Sequence, residues 1–221
     1  RLLVRVVEGC LRELIFAEKA AVIKGGDVVF GELDGLDDEA RRVCTAAGAR
    51  PHFLRAAAGP GDVAVTGGPE DFCVSADLGE GRESWAGLRV PTPALYQVTN
   101  AALAVAAVRL LLGALEEAAV RRALAGTAVP GRLQVVGEHP LVLADGAHNP
   151  DGVRVLVQSL AAVRLPRPAV GVLAIMRDKD YLAMLGGILP LLDHVVCTQA
   201  SEPRSLTAGE LAAAATAVGG G

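Results

Sequence analysis

The sequence is poor in aromatic residues and in lysine. Aromatic side chains make up 3% of its 221 residues while hydrophobic residues reach 52%, so the core must be built largely from alanine, valine and leucine. None of its three lysines follows a glycine, so the GxxxxGK[ST] loop that cradles nucleotide phosphates is absent from these residues. No GxGxxG string follows a predicted strand either, which sets aside a dehydrogenase that uses a dinucleotide.

Charge blocks and cysteine pairs are lacking as well. The net charge is −4 and no block of lysine and arginine occurs, so we expect no nucleic-acid partner. The four cysteines lie far apart without metal-type spacing, which is typical of buried thiols in a reducing compartment. The most apolar run, Ala101 to Leu112, is shorter than the ~20 residues of a membrane span. We therefore predict a cytoplasmic globular protein with no membrane partner, and we identify no direct metal ligand.

The first half of the sequence predicts part of a parallel sheet. Apolar residues at helical spacing extend over Leu11 to Lys24 and over Leu36 to Ala47, and each stretch precedes an apolar strand, at Asp27–Leu33 and Arg50–Arg55. Frequent glycine and proline with short alternating stretches then indicate an antiparallel edge of this sheet. The longest predicted helix, Gln97 to Leu112, follows this edge.

The pattern becomes regular after Pro130-Gly131-Arg132. Beyond this break, apolar strands alternate with helices, which predicts a Rossmann-like domain with a mostly parallel sheet. The strands are expected at 133–136, 141–144, 169–175 and 194–198, and the helices at 150–163, 181–192 and 205–218. We therefore predict an α/β protein with domains at 1–129 and 130–221, the second of them truncated at its end.

The most informative motif of the second domain is Ala144-Asp145-Gly146-Ala147-His148-Asn149-Pro150, between a predicted strand and a predicted helix. Ligands of parallel sheets bind at the carboxyl ends of strands, and a helix N-terminus favours anionic groups. Asp145 and His148 are therefore expected to face a ligand. The alternative is that Asp145 and Asn149 only shape the turn and cap the helix, with Pro150 at its first position.

This string resembles the DGAHNP motif of the folylpolyglutamate synthase and dihydrofolate synthase family of Mur ligases. Further strings resemble family motifs in the same order, namely EKAAVIK at 18–24, QVTNAA at 97–102, PGR at 130–132, AIMRDKD at 174–180 and PR at 203–204. Together they cover nearly the whole chain, which makes the resemblance more specific than any one motif. It implies part of the central ATPase domain followed by a Rossmann-like carboxy-terminal domain.

The resemblance also implies a reaction. In this family ATP phosphorylates the carboxylate of folate or dihydropteroate, and the amino group of L-glutamate then displaces phosphate to form an amide. ATP, Mg²⁺, glutamate and folate or dihydropteroate are thus the expected ligands. Arg132 is the implied phosphate clamp, since a guanidinium carries a fixed charge and a bidentate fork. Asn100 and Asp145 are the other implied nucleotide contacts, with His148 and Asn149 near nucleotide or substrate, and we expect Arg132 and Asp145 to converge on the same nucleotide.

Three of these assignments have plain alternatives. In the family, the lysine equivalent to Lys19 is thought to be carbamylated, which gives a carboxylate-like group that helps to place Mg²⁺, an ion that prefers oxygen ligands. The alternative for Lys19 is a helix-surface lysine paired with a neighbouring carboxylate. Arg132 has the alternative of a surface arginine in a linker, and Asn100 that of a helix N-cap.

The sequence departs from the family pattern at several points. The phosphate-binding loop is absent, Val4 stands where a metal-binding histidine is expected, Tyr96 replaces the histidine of an HQ pair, and Ala21 replaces a glycine. We therefore expect this chain to be a fragment that is inactive by itself. Two other functions stay open, another Mur-type amino-acid ligase and a non-catalytic binding module derived from the fold.

Overall fold

A computed structural model of the chain describes residues 13–79 and 81–219. Val4 and the predicted helix start at Leu11 lie outside these ranges. Contacts within the chain divide it into two compact units. Unit 1 contains Arg1–Arg89 and Val98–Gly126, and unit 2 contains Val90–Gln97 and Thr127–Gly221. A short segment from the middle of the chain thus belongs to the second unit.

Within residues 13–79 and 81–126, unit 1 is built on a five-stranded sheet. Its strands are β1 Gly26–Phe30, β2 Ala49–Arg55, β3 Asp62–Gly68, β4 Asp71–Asp77 and β5 Arg82–Leu88, and they lie side by side in this order. β1, β2 and β3 are parallel, whereas β4 and β5 are antiparallel to their neighbours. This confirms the predicted parallel repeat with an antiparallel edge. Strand β5 was not predicted, because its sequence RESWAGL places only Trp85 and Leu88 in the core.

The helices of the first half are α1, residues 13–20, then α2 Asp37–Ala46, α3 Leu95–Leu112 and α4 Glu117–Gly126. Among the described residues α1 ends at position 20, earlier than predicted, since a turn in which Ile23 N donates to Ala20 O closes it. α3 begins two residues earlier than predicted. Its first residues, Leu95–Gln97, belong to unit 2 and the remainder to unit 1.

α3 is long and apolar enough, by length and composition alone, to cross a membrane. Its buried residues nevertheless follow the spacing of a core helix, at Val98, Ala101, Ala102, Val105, Ala106 and Arg109. The Arg109 side chain is buried and forms an ion pair with Glu83 of β5. A buried charge with a fixed partner is the arrangement that a core helix tolerates.

The described residues of the second half of unit 2 form four short strands and three α-helices around an aliphatic core. The strands are β6 Gln134–Glu138, β7 Leu141–Ala144, β8 Val170–Leu173 and β9 His194–Cys197, and the helices are α5 Pro150–Val163, α6 Tyr181–Ile188 and α7 Ala208–Gly219. Leu133, Leu185 and Leu211 are almost fully buried in this core. The predicted α/β alternation is confirmed.

The prediction of a mostly parallel sheet in unit 2 is only partly correct. β8 and β9 are parallel, whereas β6 and β7 form an antiparallel pair. Only His139 and Pro140 connect β6 to β7, and so short a link joins antiparallel strands, since a parallel pair needs a crossover of about a dozen residues. The strands that the structure describes here form two separate pairs, with an apolar cavity of about 300 Å³ lined by residues of β7 and β8.

The Arg109–Glu83 ion pair yields a test of the packing of α3. Arg109 Nε donates to the two carboxylate oxygens of Glu83 at 3.0 and 2.8 Å. Glu83→Ala leaves a buried guanidinium without this partner, and we expect it to lower the free energy of unfolding by about 1–2 kcal/mol, since part of the Glu83 side chain is exposed. Urea unfolding followed by circular dichroism measures the change.

Glu39→Ala is the matched control, because Glu39 pairs with Arg42 within α2 and the Arg42 side chain is 71% exposed. Exposed pairs contribute little to stability, so its unfolding curve is expected to stay close to that of the unsubstituted chain. Equal losses of unfolding free energy in Glu83→Ala and Glu39→Ala would show that the burial of Arg109 does not increase the contribution of its ion pair to stability.

The start of α7 gives a pH dependence. Glu210 accepts hydrogen bonds from both terminal nitrogens of Arg177, at 2.8 and 2.7 Å, and from Thr207 N and Oγ1. Arg177 first, and then Thr207, hold the pKa of Glu210 at about 2, below its ordinary 4.5. A depressed pKa stabilises the folded chain above pH 4.5, and this contribution is lost as the pH falls toward about 2.

We therefore expect Glu210→Gln to lower the thermal midpoint at pH 7, and the difference from the unsubstituted chain to shrink progressively as the pH is lowered through this window. Differential scanning calorimetry across the pH range measures it. A difference that stays constant down to the acid limit contradicts the assignment.

Candidate functional site

The Asp145 motif connects β7 to α5 at the carboxyl end of the strand. Asp145 directly follows the last residue of β7, and Asn149 is the N-cap of α5, where its Oδ1 accepts from Gly152 N at 2.7 Å. Pro150 occupies the first helical position. The cap predicted as the alternative role of Asn149 is thus present, and the turn is fixed at both ends.

The carboxylate of Asp145 accepts three hydrogen bonds. Its Oδ2 accepts from the hydroxyl of Tyr96 at 2.7 Å and from the backbone N–H of Leu133 at 2.8 Å. Its Oδ1 accepts from the backbone N–H of Ala147 at 2.8 Å, which closes the turn. One side chain therefore links the start of α3, the segment before β6 and the turn after β7, all within unit 2.

Leu133 shows why this linkage is needed. Its φ is +45°, a left-handed conformation that costs an L residue other than glycine roughly 1–2 kcal/mol. The conformation is stabilised by the bond from its N–H to Asp145, by Thr92 Oγ1, which donates to its carbonyl at 3.1 Å, and by a side chain that is 1% exposed. The backbone at Arg132 and Leu133 is thereby held in one geometry.

Arg132 lies beside the Asp145 turn. Gly146 N donates to Gly131 O at 2.8 Å, so the two segments run together, and a Cβ added to Gly146 would lie 3.8 Å from Arg132 Nη1. The Arg132 side chain is exposed, and Asp145 is half-buried next to it. The exposed guanidinium of Arg132 therefore lies near the turn that carries the hydrogen-bonded carboxylate of Asp145, at one end of unit 2.

Tyr96 is the donor that sequence reasoning did not assign to the site. Burial first, and then the hydrogen bond to the Asp145 carboxylate, raise the pKa of Tyr96 above its ordinary value of 10, while the positive charge of Arg132 lowers it. The hydroxyl is therefore protonated at neutral pH and donates to Asp145.

The start of α3 is fixed to unit 2 at a second point. Leu95 N donates to Ser159 Oγ of α5 at 3.0 Å, and the Ser159 side chain is fully buried. The first helical N–H groups have no partner within a helix, so this hydroxyl acts as a cap supplied from another element. The position of Tyr96, on the same turn, follows from this contact.

His148 is exposed and lies in the loop directly before α5, next to the N-cap residue Asn149. Its Nδ1 lies 3.0 Å from Gly146 O. Because a carbonyl oxygen can only accept a hydrogen bond, Nδ1 carries a proton and donates it to this oxygen. His148 and Asp145 therefore lie on the same turn, and that they face a ligand stays a prediction.

The remaining predicted residues lie in unit 1. Asn100 is exposed in the second turn of α3, which begins at Leu95, so the alternative role of N-cap is wrong for this residue. Lys19 is exposed on α1 with its Nζ 3.3 Å from Glu18 Oε1. This is the arrangement that the plain alternative for Lys19 describes.

The described residues contain no group of three or more histidine, cysteine, aspartate and glutamate side chains that could hold a metal ion. Mg²⁺ prefers several oxygen ligands, and Lys19 has one carboxylate beside it. The residues at 13–79 and 81–219 therefore do not by themselves fit a Mg²⁺ site.

The two late motifs also come together in unit 2. Arg177 N donates to Arg204 O at 2.8 Å, and Asp178 Oδ2 lies 3.3 Å from Lys179 Nζ and 3.4 Å from Arg204 Nη1. Asp180 caps α6 by accepting from Ala183 N. These contacts join the end of the β8 segment to the loop before α7 and account for both motifs structurally.

Known proteins are similar to this chain in sequence. The family model "Mur ligase, glutamate ligase domain" matches residues 131–220. The chain is 40% identical over 131 residues to the dihydrofolate synthase/folylpolyglutamate synthase of Mycobacterium tuberculosis, an alignment that covers 57% of this chain and 27% of that protein. It is 34% identical over 122 residues to the protein of the same name from Escherichia coli K12, with 55% of this chain and 29% of that protein covered.

Solved structures resemble the chain over most of its length. Mycobacterium tuberculosis folylpolyglutamate synthase complexed with ADP matches with a TM-score of 0.79 and 31% identity over 90% of this chain. Escherichia coli FolC in complex with DHPP and ADP matches with a TM-score of 0.76 and 27% identity. A bifunctional folylpolyglutamate synthase/dihydrofolate synthase with Mn, AMPPNP and L-glutamate bound matches with a TM-score of 0.74 and 30% identity.

The chain spans 45–46% of the length of these three solved relatives and under a third of the two curated ones. The matched part includes the carboxy-terminal ligase domain and extends upstream of it. Residues 131–220 thus match the glutamate ligase domain of Mur ligases, and the chain is similar to the carboxy-terminal portion of folylpolyglutamate and dihydrofolate synthases.

Proposed function

We propose that this chain is part of an ATP-dependent ligase that adds L-glutamate to folate, to dihydropteroate or to both. The observation that carries the proposal is the proximity of the Arg132 guanidinium to the turn of the anchored Asp145 at the carboxyl end of β7, within the domain that matches the glutamate ligase family. Relatives of the same family are complexed with ADP, and one has AMPPNP and L-glutamate bound. ATP, glutamate and a folate-type acid are the proposed ligands.

The proposed reaction has two steps. The terminal phosphoryl group of ATP is transferred to the carboxylate of the folate-type substrate, which gives an acyl phosphate and ADP. The amino group of glutamate then attacks the acyl carbon, phosphate leaves, and an amide forms. Each step moves negative charge on phosphoryl oxygens, so a fixed cation near those oxygens lowers the barrier.

Arg132 is proposed to supply this cation. Its guanidinium is charged at every working pH and can hold two phosphate oxygens at once. The backbone that carries it is held by Asp145 and Thr92, so the side chain starts from a fixed point. The catalytic use of a charge depends on such preorganisation, because a charge already in place costs no rearrangement during the reaction.

Asp145 is proposed to contact the nucleotide through a donor group. An ionised carboxylate is an acceptor only, so it suits a hydroxyl or amino group of the nucleotide and is repelled by phosphate. Asn100 is proposed as a further nucleotide contact, and His148 and Asn149 as polar neighbours of nucleotide or substrate. In this assignment Asn149 keeps its role as the cap of α5.

A divalent cation is proposed for the whole ligase, since a relative contains Mn with AMPPNP. Within the described residues no acidic cluster fits such an ion, so no step of the proposed reaction is assigned to a metal held by them. We propose that the ligase acts in the cytoplasm, where ATP is available.

Arg132→Ala and Asp145→Ala test the proposal in a chimera that joins this chain to the amino-terminal part of the Mycobacterium tuberculosis relative. We expect the chimera to incorporate glutamate in an ATP-dependent way. Arg132→Ala is expected to lower kcat by about 10²- to 10³-fold, because a preorganised charge on the phosphoryl group is lost, and Asp145→Ala to lower the rate by a comparable factor. Incorporation of labelled glutamate measures both.

Arg154→Ala and Asp151→Ala are matched controls, since these residues form an exposed ion pair on α5. Both are expected to retain the activity of the chimera. Activity that survives both Arg132→Ala and Asp145→Ala contradicts the site. A chimera that neither incorporates glutamate nor binds ADP contradicts the function.

Lys19 carries a separate prediction. If it is carbamylated in the ligase, native mass spectrometry of the chimera in bicarbonate buffer will show the mass of one added CO₂. The added mass is expected to disappear in Lys19→Ala and to remain in Lys24→Ala, because Lys24 lies outside α1. An unmodified lysine under these conditions would favour the exposed Lys19–Glu18 pair as its only role.

A further inference from the structure

Asp145 is unusual among the acidic residues of unit 2 because its carboxylate is held by two backbone N–H groups and by one aromatic hydroxyl. A carboxylate offers about four acceptor positions, two on each oxygen. Tyr96 and Leu133 use the two positions on Oδ2, and Ala147 uses one on Oδ1. One position remains, and it lies on Oδ1.

We propose that Tyr96 is a positioning residue of the ligase, whose hydroxyl locks the orientation of the Asp145 carboxylate so that one acceptor position on Oδ1 is kept for a single donor group of the nucleotide. This inference rests on the proposed function, because it assumes that Asp145 contacts the nucleotide. Beyond the proposed function, it specifies that Asp145 makes one contact with the nucleotide and that this contact is with a hydrogen-bond donor.

The two backbone donors alone do not fix the carboxylate. Ala147 and Leu133 each give one hydrogen bond, to different oxygens. A carboxylate held by one bond on each oxygen can still twist about its terminal bond, which is a broad, soft torsion. The bond from Tyr96, at 2.7 Å, adds a second direction on Oδ2 and removes this freedom.

Tyr96 is itself held in place. Its helix begins one residue earlier, where Leu95 N donates to the buried Ser159, and Ala94 before it is fully buried in the core of unit 2. Tyr96 is half-buried and packs against that core. The hydroxyl therefore points from a rigid element, as a positioning group requires.

The chemistry of the hydroxyl suits the role. A tyrosine whose pKa is raised stays protonated throughout the working pH range, so its hydroxyl always has a proton to donate to Asp145. A histidine, which the family motif has at this place, changes its charge near neutral pH. Unlike that histidine, Tyr96 therefore donates to Asp145 without a change of charge near neutral pH.

Tyr96→Phe removes only the hydroxyl and tests the inference in the chimera. We expect KM for ATP and Kd for ADP to rise about five- to tenfold, because one hydrogen bond that orients Asp145 is lost. We expect kcat and KM for glutamate to change little. Steady-state kinetics and isothermal titration calorimetry with ADP measure these values. Tyr181→Phe, at the only other tyrosine of the chain, is the matched control and should match the unsubstituted chimera.

A double-mutant cycle separates positioning from general loss of structure. If Tyr96 acts through Asp145, Tyr96→Phe in an Asp145→Ala background should change Kd for ADP by less than about twofold, because the group that it orients is gone. A fixed additional loss in that background overturns the proposal. So does a Tyr96→Phe variant whose kcat falls with its melting temperature while KM for ATP stays the same, which marks a merely structural residue.

The failure of this inference is distinguishable from the failure of the proposed function. If Asp145→Ala itself leaves Kd for ADP and KM for ATP unchanged, the nucleotide contact of Asp145 is wrong. If Asp145→Ala weakens nucleotide binding and Tyr96→Phe does not, the contact stands and the positioning role of Tyr96 is wrong.

Discussion

The carboxylate of Asp145, with its three hydrogen bonds, determines the geometry of one whole end of unit 2. It joins three segments that are far apart in sequence, at Tyr96, Leu133 and Ala147. Low local dielectric strengthens each of these charge-assisted bonds and makes an unpaired donor there costly. Because Leu133 occupies a left-handed conformation that is unfavourable alone, the carboxylate also maintains the backbone at Arg132. The hydrogen bonds of Asp145 thus fix both the orientation of its own carboxylate and the backbone that carries Arg132.

The Tyr96–Asp145 bond and three other hydrogen bonds hold residues 90–97 in unit 2, although the residues before and after them in sequence belong to unit 1. Thr92 binds the carbonyls of Arg132 and Leu133, Leu95 binds Ser159, and Tyr96 binds Asp145. Each bond satisfies a backbone group or a side chain that would otherwise be left unpaired near the core. A segment of eight positions thereby contributes more to the site than its length suggests.

Local patterns predicted most elements of this fold, because period and glycine placement act within a few residues. The strand Leu141–Ala144 and the helix Pro150–Val163 agree with the expected bounds, since apolar periodicity, Asn149 and Pro150 mark them directly. The antiparallel direction of the β6–β7 pair was missed although it follows from local sequence, since the short link between the two predicted strands leaves no room for a parallel crossover. β5 was missed because few of its residues are apolar. The motifs indicated Arg132 and Asp145, but no local signal in the sequence indicates that the Tyr96 hydroxyl reaches Asp145, 49 residues away.

The charges at the Asp145 turn also limit what these residues can do chemically. One guanidinium can hold phosphate oxygens, and one acceptor position can hold a hydroxyl or amino group, so the turn is suited to orienting a nucleotide. Phosphoryl transfer needs more positive charge than a single arginine supplies, because charge is spread over the three equatorial oxygens of the transferring group. Within the described residues neither a lysine loop nor an acidic metal cluster adds to Arg132. In the proposed ligase the Asp145 turn is therefore assigned the orientation of the nucleotide, through the anchored Asp145 carboxylate and the fixed backbone at Arg132, while the rate is proposed to depend on further charges.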